Sequence, residues 1–160
     1  MIKKIAATAA LSLLASAAFA APVGLYGGVD AGTTRADNLN LDSSKASYGA
    51  FLGYGVNDNI GVELGYTRLG QWNDAFGPGN DATINQTQVS VVASLPLKDN
   101  FSVYSRIGYN KLNGASDTSS GALYGLGVGY DFNQNVFGRV EVQKPTNNVN
   151  NLGFSVGYKF

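Results

Sequence analysis

The chain has 160 residues with no Cys, no His, 21 Gly and 9 Tyr, and its 11 basic side chains balance 11 acidic ones. Without thiols or imidazoles there is no disulfide framework, no soft metal site and no His-based dyad or triad, so no cofactor is expected and the chain does not read as an enzyme. A nucleic-acid surface needs clustered Lys and Arg, which the sequence lacks.

Residues 1–20, MIKKIAATAALSLLASAAFA, stand apart from the rest. Lys3 and Lys4 precede an apolar run from Ile5 through Leu14, and Ala18-Phe19-Ala20 fits the small-x-small rule of signal peptidase. Cleavage is expected after Ala20, because the apolar run is shorter than the roughly 20 residues a membrane helix needs. The division is then a signal peptide over 1–20 and one domain over 21–160. With Lys3 and Lys4 removed, 9 basic groups face 11 acidic ones, and the exported product is slightly acidic.

From there the chain alternates. Eight runs of about 9 to 12 residues follow one another, the length a tilted strand needs to cross a bilayer. The first sets Leu25, Val29 and Ala31 against Tyr26, Gly28, Asp30 and Gly32, and the second sets Tyr48, Ala50, Leu52, Tyr54 and Val56 against Gly49, Phe51, Gly53 and Gly55. The third, IGVELGYTRLG, places Ile60, Val62, Leu64 and Tyr66 opposite Gly61, Glu63, Gly65 and Thr67. The fourth alternates Val89, Val91, Ala93, Leu95 and Leu97 with Gln88, Ser90, Val92 and Ser94; the fifth alternates Phe101, Val103, Ile107 and Tyr109 with Ser102, Tyr104, Arg106 and Gly108. In the sixth, Ala122 through Phe132 at every second position face away from Gly125, Gly127, Gly129 and Asp131. The seventh sets Val136, Val140 and Val142 against Phe137, Arg139, Glu141 and Gln143, and the eighth sets Leu152, Phe154, Val156, Tyr158 and Phe160 against Gly153, Ser155, Gly157 and Lys159.

Three connections are tight and of one kind, Asn57-Asp58-Asn59, Lys98-Asp99-Asn100 and Asn133-Gln134-Asn135. The other four, Arg35 to Lys45, Gln71 to Ala82, Leu112 to Ser120 and Pro145 to Asn148, are read as longer, so that short and long alternate. That is the layout of an all-β, eight-stranded antiparallel transmembrane up-and-down barrel with periplasmic turns and external loops. The polar face settles which side is wet. Packed into a conventional core, Asp30, Glu63, Arg106, Arg139 and Glu141 would be buried charges at heavy cost. If the apolar face meets lipid instead, these charges line a narrow lumen and pair across it. A soluble lipid-carrying barrel would need the opposite polarity.

The stretches IGVELGYTRLG, FSVYSRIGY, FGRVEVQ and LGFSVGYKF resemble, in the same order, the membrane domain of outer membrane protein A and its eight-stranded relatives. The resemblance implies an outer-membrane location among outer membrane lipids and lipopolysaccharide, and delivery by periplasmic chaperones to the β-barrel insertion machinery. It implies that Tyr158-Lys159-Phe160 is the assembly signal. It also pairs Glu63 with Arg139. In that family the Glu exchanges to a Lys on the fourth strand whose own partner is a Glu on the sixth; here those positions are Val92 and Gly129, so that gating exchange is not expected. The family's soluble peptidoglycan-gripping domain is not expected after Phe160.

Two readings of function follow. The first is a structural membrane barrel with at most a narrow, low-conductance pathway, in which Glu63 and Arg139 are a structural pair. The second is a surface adhesin that meets a host or phage ligand through its four external loops, with Trp72 and Phe76 as candidate contacts. Both residues also suit packing on the barrel rim or at the membrane interface.

Overall fold

The computed structural model describes residues 23–36, 44–72, 82–114, 118–146 and 149–160. The expected signal peptide, its cleavage site and Phe76 lie outside the described residues. Eight strands follow in chain order: β1 (Gly24–Ala36), β2 (Lys45–Gly55), β3 (Ile60–Trp72), β4 (Ala82–Pro96), β5 (Phe101–Asn113), β6 (Thr118–Asp131), β7 (Val136–Thr146) and β8 (Val149–Lys159). Each pairs antiparallel with its sequence neighbour, and β8 pairs back onto β1 from Tyr26 opposite Lys159 to Ala36 opposite Val149. The barrel is closed, as the sequence predicts, and closure removes the exposed strand edges that would otherwise template aggregation.

Parity carries over to three dimensions. Leu64 is 59% exposed beside Glu63 at 0%, and Ile107 is 63% exposed beside Arg106 at 5%. The apolar side chains face out and the charged ones face in, an arrangement stable only where the surroundings are hydrocarbon.

The inward glycines make room for large neighbours on adjacent strands. A Cβ on Gly127 would stand 2.7 Å from the Tyr104 ring, and one on Gly61 would stand 2.8 Å from the Tyr26 hydroxyl. Gly53 lies under the Tyr26 ring in the same way, and Gly157 under Phe137. Pairing a large inward residue with a glycine across the strand boundary fills an eight-stranded lumen without overpacking it.

Three features depart from the sequence reading. The strands run 11 to 15 residues and extend past the alternating runs at the loop end. There Leu69, Leu112, Leu123 and Val149 are buried and point inward, at positions beyond the faces the sequence reading assigned, Leu112 having been read as the start of a connection. Leu69 is the extra residue of a bulge, with the register shifting between Arg68 and Gly70.

The second departure concerns the fourth long connection. β7 ends at Thr146 and β8 starts at Val149, so this link is the tightest of the seven rather than one of the long ones. The run Lys144-Pro145 reads as a strand breaker, yet the chain absorbs the proline in a register shift between Gln143 and Thr146 and keeps pairing. The connections at this end remain long at 37–44 and 73–81, while 114–117 is no longer than the turns at the other end.

Third, the tight turns are of two kinds rather than one. Asn57 Oδ1 accepts from the backbone N–H groups of Asn59 and Ile60 at 2.9 and 2.8 Å, and Asn133 does the same for Asn135 and Val136. The remaining turn instead places Asp99 and Asn100 at φ 60° and 65° and closes with the Phe101 N–H on the Lys98 carbonyl. Two successive positive φ values give the mirror-image turn whose twist matches a hairpin.

Candidate functional site: a charged plug in the barrel lumen

Glu63 is the fourth residue of β3, opposite Gly53 of β2, whose missing side chain lets the Tyr26 ring lie over it. The Tyr26 hydroxyl donates to Glu63 Oε1 at 2.8 Å. Arg139 of β7 reaches the same oxygen from across the lumen at 2.5 Å, and Arg106 of β5 places Nη2 2.7 Å from Glu63 Oε2. The second contact is an ion pair whose angle falls short of a hydrogen bond, so Oε2 is held by charge alone.

Arg106 is shared between two carboxylates. Its Nε donates to Glu141 Oε1 at 2.8 Å and its Nη2 to Glu141 Oε2 at 3.2 Å, while Nη1 donates to Ser90 Oγ at 2.8 Å. Tyr104 donates to Glu141 Oε2 at 3.0 Å. Two carboxylates and two guanidinium groups therefore form one connected, neutral array. Burying charges is tolerable only when they are paired and their remaining sites hydrogen-bonded; every charge of the array is paired, and Glu63 Oε2 is the one carboxylate oxygen of the array held by an ion pair without a hydrogen bond.

An aromatic collar holds Arg139 in place. Its guanidinium carbon lies 4.6 Å from the Phe137 ring centroid, 5.1 Å from Tyr104, 5.5 Å from Tyr26 and 5.7 Å from Phe51. A planar cation stacked among ring faces is fixed in orientation by the same contacts that desolvate it. Nearer the short turns, Lys159 Nζ meets Asp131 at 2.8 Å.

The lumen on either side of this array is water-sized. A cavity of about 40 Å³ on the loop side is lined by Asp30, Thr67, Gln88, Arg106, Arg139 and Glu141 among others. One of about 20 Å³ on the turn side is lined by Ser94, Ser102, Tyr104, Asp131, Arg139 and Lys159 among others. Arg139 borders both, so its side chain is part of the wall between them.

The sequence-predicted residues divide as follows. Glu63, Arg139, Arg106 and Glu141 are brought together. Asp30 faces the same lumen but, among the described residues, meets Thr67 Oγ1 at 3.4 Å rather than a cation. Its side chain is one methylene shorter than that of Glu63, and both nearby guanidinium groups are already engaged. Tyr158 and Phe160 lie on the outer face at the turn end with ring centroids 5.4 Å apart, and the Phe160 N–H donates to the Leu25 carbonyl at 3.0 Å. Trp72 is the last residue of β3, opposite Ala82. Tyr26, Tyr104 and Phe137 were legible as inward residues but not as the shell of the plug; the signal was an inward aromatic facing an inward glycine on the next strand.

A closed eight-stranded barrel, apolar outside and cross-linked by charges inside, defines a transmembrane outer-membrane barrel. The chain belongs to the outer membrane protein beta-barrel domain family, whose model matches residues 6–160. It is similar to outer membrane protein A of Serratia marcescens, 28% identical over 165 residues covering 86% of this chain and 44% of that protein. Outer membrane protein A of Yersinia pseudotuberculosis is 32% identical over 120 residues, covering 66% of this chain and 33% of that one. The chain thus spans less than half the length of these relatives.

Among solved structures, Neisserial surface protein A superposes with a TM-score of 0.66 at 20% identity, covering 86% of this chain and 97% of that one. The N-terminal barrel of Pseudomonas aeruginosa OprF gives 0.58 at 17%, covering 84% and 97%. The attachment invasion locus protein of Yersinia pestis, crystallised with the heparin analogue sucrose octasulfate, gives 0.55 at 16%, covering 85% and 96%. At these identities the likeness is one of fold. The protein is an OmpA-like outer membrane β-barrel.

Proposed function

We propose that this barrel is a structural component of the outer membrane whose lumen is closed by the Glu63–Arg139–Arg106–Glu141 array, so that it conducts ions weakly or not at all. The observation that carries this reading is Arg139 bordering both water-sized cavities while bonded to Glu63. Ion passage would require breaking buried charge pairs, and among the described residues the family's exchange pair is missing: Val92 and Gly129 occupy its two positions. Arg106 bonds Glu63 and Glu141 at once, which locks the array rather than switching it.

Export by residues 1–20 with cleavage after Ala20 belongs to the same proposal, as does handling by periplasmic chaperones and the barrel insertion machinery. The absence of His and Cys supports a non-enzymatic role. The test is single-channel recording of the refolded chain in planar bilayers, beside the Glu63→Gln/Arg139→Ala double variant. The reading expects little or no current from the parent and larger, more frequent openings from the variant. A parent current as large as the variant's would overturn it.

A further inference from the structure

We propose that the lumen on the loop side of the charged array binds one small monovalent cation, sodium or potassium, with Asp30 as its counter-charge and the uncharged oxygens of Thr67, Gln86 and Asn110 as ligands. Charge in the lumen does not balance without it. Glu63 and Glu141 hold Arg106 and Arg139, and Asp131 holds Lys159, which leaves Asp30 as an inward carboxylate with no cation beside it among the described residues. Lys45, the remaining inward cation, stands opposite Thr34, four residues beyond Asp30. That is about 13 Å along the strand, too far for the two side chains to meet. The loops outside the described residues, 37–43, 73–81, 115–117 and 147–148, contain no Lys or Arg. Thr67 offers Asp30 a single hydroxyl proton, at 3.4 Å from each carboxylate oxygen. A carboxylate held in a narrow lumen is most stable with a cation beside it.

Two orphaned oxygens point the same way. Gln86 and Asn110 are 0% and 1% exposed, and each leaves its side-chain carbonyl oxygen without a donor among the described residues. Asn110 Nδ2 donates to the Pro145 carbonyl at 2.9 Å and Gln86 Nε2 to Gln88 Oε1 at 3.2 Å, so turning either amide round would set oxygen against oxygen. A buried acceptor with no donor calls for a ligand. The register joins these oxygens to Asp30. Asp30 meets Thr67, Thr67 stands opposite Gln86, and Gln88, bonded to Gln86, stands opposite Asn110. Asp30, Thr67 and Gln88 also line the cavity of about 40 Å³, which has room for a small ion that keeps a water of its own. Arg106 and Arg139 border that cavity too, but Glu63 and Glu141 balance them. One carboxylate among neutral oxygens matches a single positive charge, whereas calcium sites gather several carboxylates. Among the described residues no three acidic side chains come together in a way that would hold a metal ion.

The test compares sodium, potassium and choline chloride at equal ionic strength, with the refolded chain in phosphatidylcholine vesicles and the unfolding temperature read from heat-modifiable gel mobility. Choline screens charges as the metal ions do but is too large for the cavity. Sodium or potassium should raise the midpoint above its value in choline, and the rise should follow the logarithm of concentration once the site fills. In detergent micelles the chain should broaden the sodium NMR line, and excess choline should not reverse the broadening. Asp30→Asn should lose both the added midpoint and the broadening while matching the parent in choline. Gln86→Met should need several-fold more sodium to reach the same midpoint. Asp99→Asn, which removes an exposed carboxylate from a short turn, should respond like the parent. Equal midpoints in the three salts would overturn the proposal and leave the orphaned carbonyls to water. So would an Asp30→Asn or Gln86→Met variant that responds like the parent. Neither readout involves conductance. Failure here therefore leaves the closed lumen standing, and a parent that conducts freely while showing the sodium response refutes the closure alone.

Discussion

Arg139 Nη1 and Glu63 Oε1 are bonded at 2.5 Å although 76 residues separate them in the chain. The contact forms because strands three and seven of an eight-stranded barrel face each other across its interior. Its consequence is unequal dependence among the four charges. Glu63 touches both guanidinium groups and Tyr26, so Glu63→Gln leaves Arg139 among ring faces with no anion beside it. Arg139→Met leaves Glu63 still held by Arg106 and Tyr26. Glu63→Gln should therefore cost the more, up to about 3–5 kcal/mol as for a broken buried pair, and Arg139→Met should cost less. The double variant should be milder than the sum, whereas Glu141→Gln combined with Arg139→Met, linked only through the Glu63–Arg106 pair, should show a smaller coupling. Urea unfolding of the refolded barrel checks both cycles, and equal coupling in the two would remove Glu63 as the hub.

The plug also rests on space provided by glycine. A Cβ at Gly53 would run into the Tyr26 ring, with the hydroxyl carrying the bond to Glu63 only 2.6 Å away. Tyr26 is 1% exposed and has nowhere to swing. Gly53→Ala should therefore destabilise the barrel by about 1–3 kcal/mol, as overpacked cores do. Gly121→Ala, where a Cβ would meet nothing within 4 Å, should leave stability close to the parent's. Indistinguishable unfolding curves for the two would show that Tyr26 moves freely.

Much of this was legible in the sequence because a barrel has one rule, a side-chain period of two, applied eight times. That rule placed Glu63, Arg106, Arg139 and Glu141 inside without any knowledge of register. It could not say that Arg106 would bridge both carboxylates, since that depends on the stagger of β5 against β3 and β7, which closure sets globally. Nor was the alternation followed as far as Leu69, which continues the inward set of Glu63, Gly65 and Thr67, or the short link at 147–148 foreseen, where the Pro145 signal for a loop lost to continued pairing with β8. Local turn chemistry misled in the same way: three Asn- or Asp-rich triplets look alike as letters, but only two use an Asn side chain as the turn's acceptor.

Those two mechanisms respond oppositely to glycine. Asn57→Gly removes the side-chain oxygen that holds the Asn59 and Ile60 N–H groups and should cost about 1 kcal/mol. Asn100→Gly keeps the backbone bond and relieves a φ of 65°, so it should stay within about 0.5 kcal/mol of the parent or exceed it. The comparison needs only thermal midpoints read from gel mobility. A loss at Asn100 as large as that at Asn57 would reject the assignment of the turn.

Orientation makes a separate prediction. With the long connections outside, protease added to intact cells should cut within 73–81 or 37–44 and leave the turn at Asn57-Asp58-Asn59 untouched. The turn is also tied down from the neighbouring hairpin, with Asn59 Nδ2 donating to the Ser94 carbonyl at 3.0 Å. Permeabilised cells distinguish protection by the membrane from protection by structure. Cleavage at the turn in intact cells would invert the topology.

The last prediction concerns how the chain reaches the membrane. The Phe160 backbone closes the barrel by donating to Leu25, but its ring is 75% exposed and has Tyr158 as its ring partner. Phe160→Ala keeps the backbone bond and removes a ring that faces lipid in the folded state. Loss of a lipid-facing ring changes little in a medium as apolar as the ring itself, so refolding in detergent and the unfolding midpoint should stay near the parent's. If the terminal aromatic is what the insertion machinery reads, the amount inserted in cells should nevertheless fall several-fold. The Tyr158→Ala variant removes the other ring of the pair and should act in the same direction. Parallel losses in cells and in detergent would assign Phe160 to stability alone, and a normal yield in cells would remove it from the assembly signal.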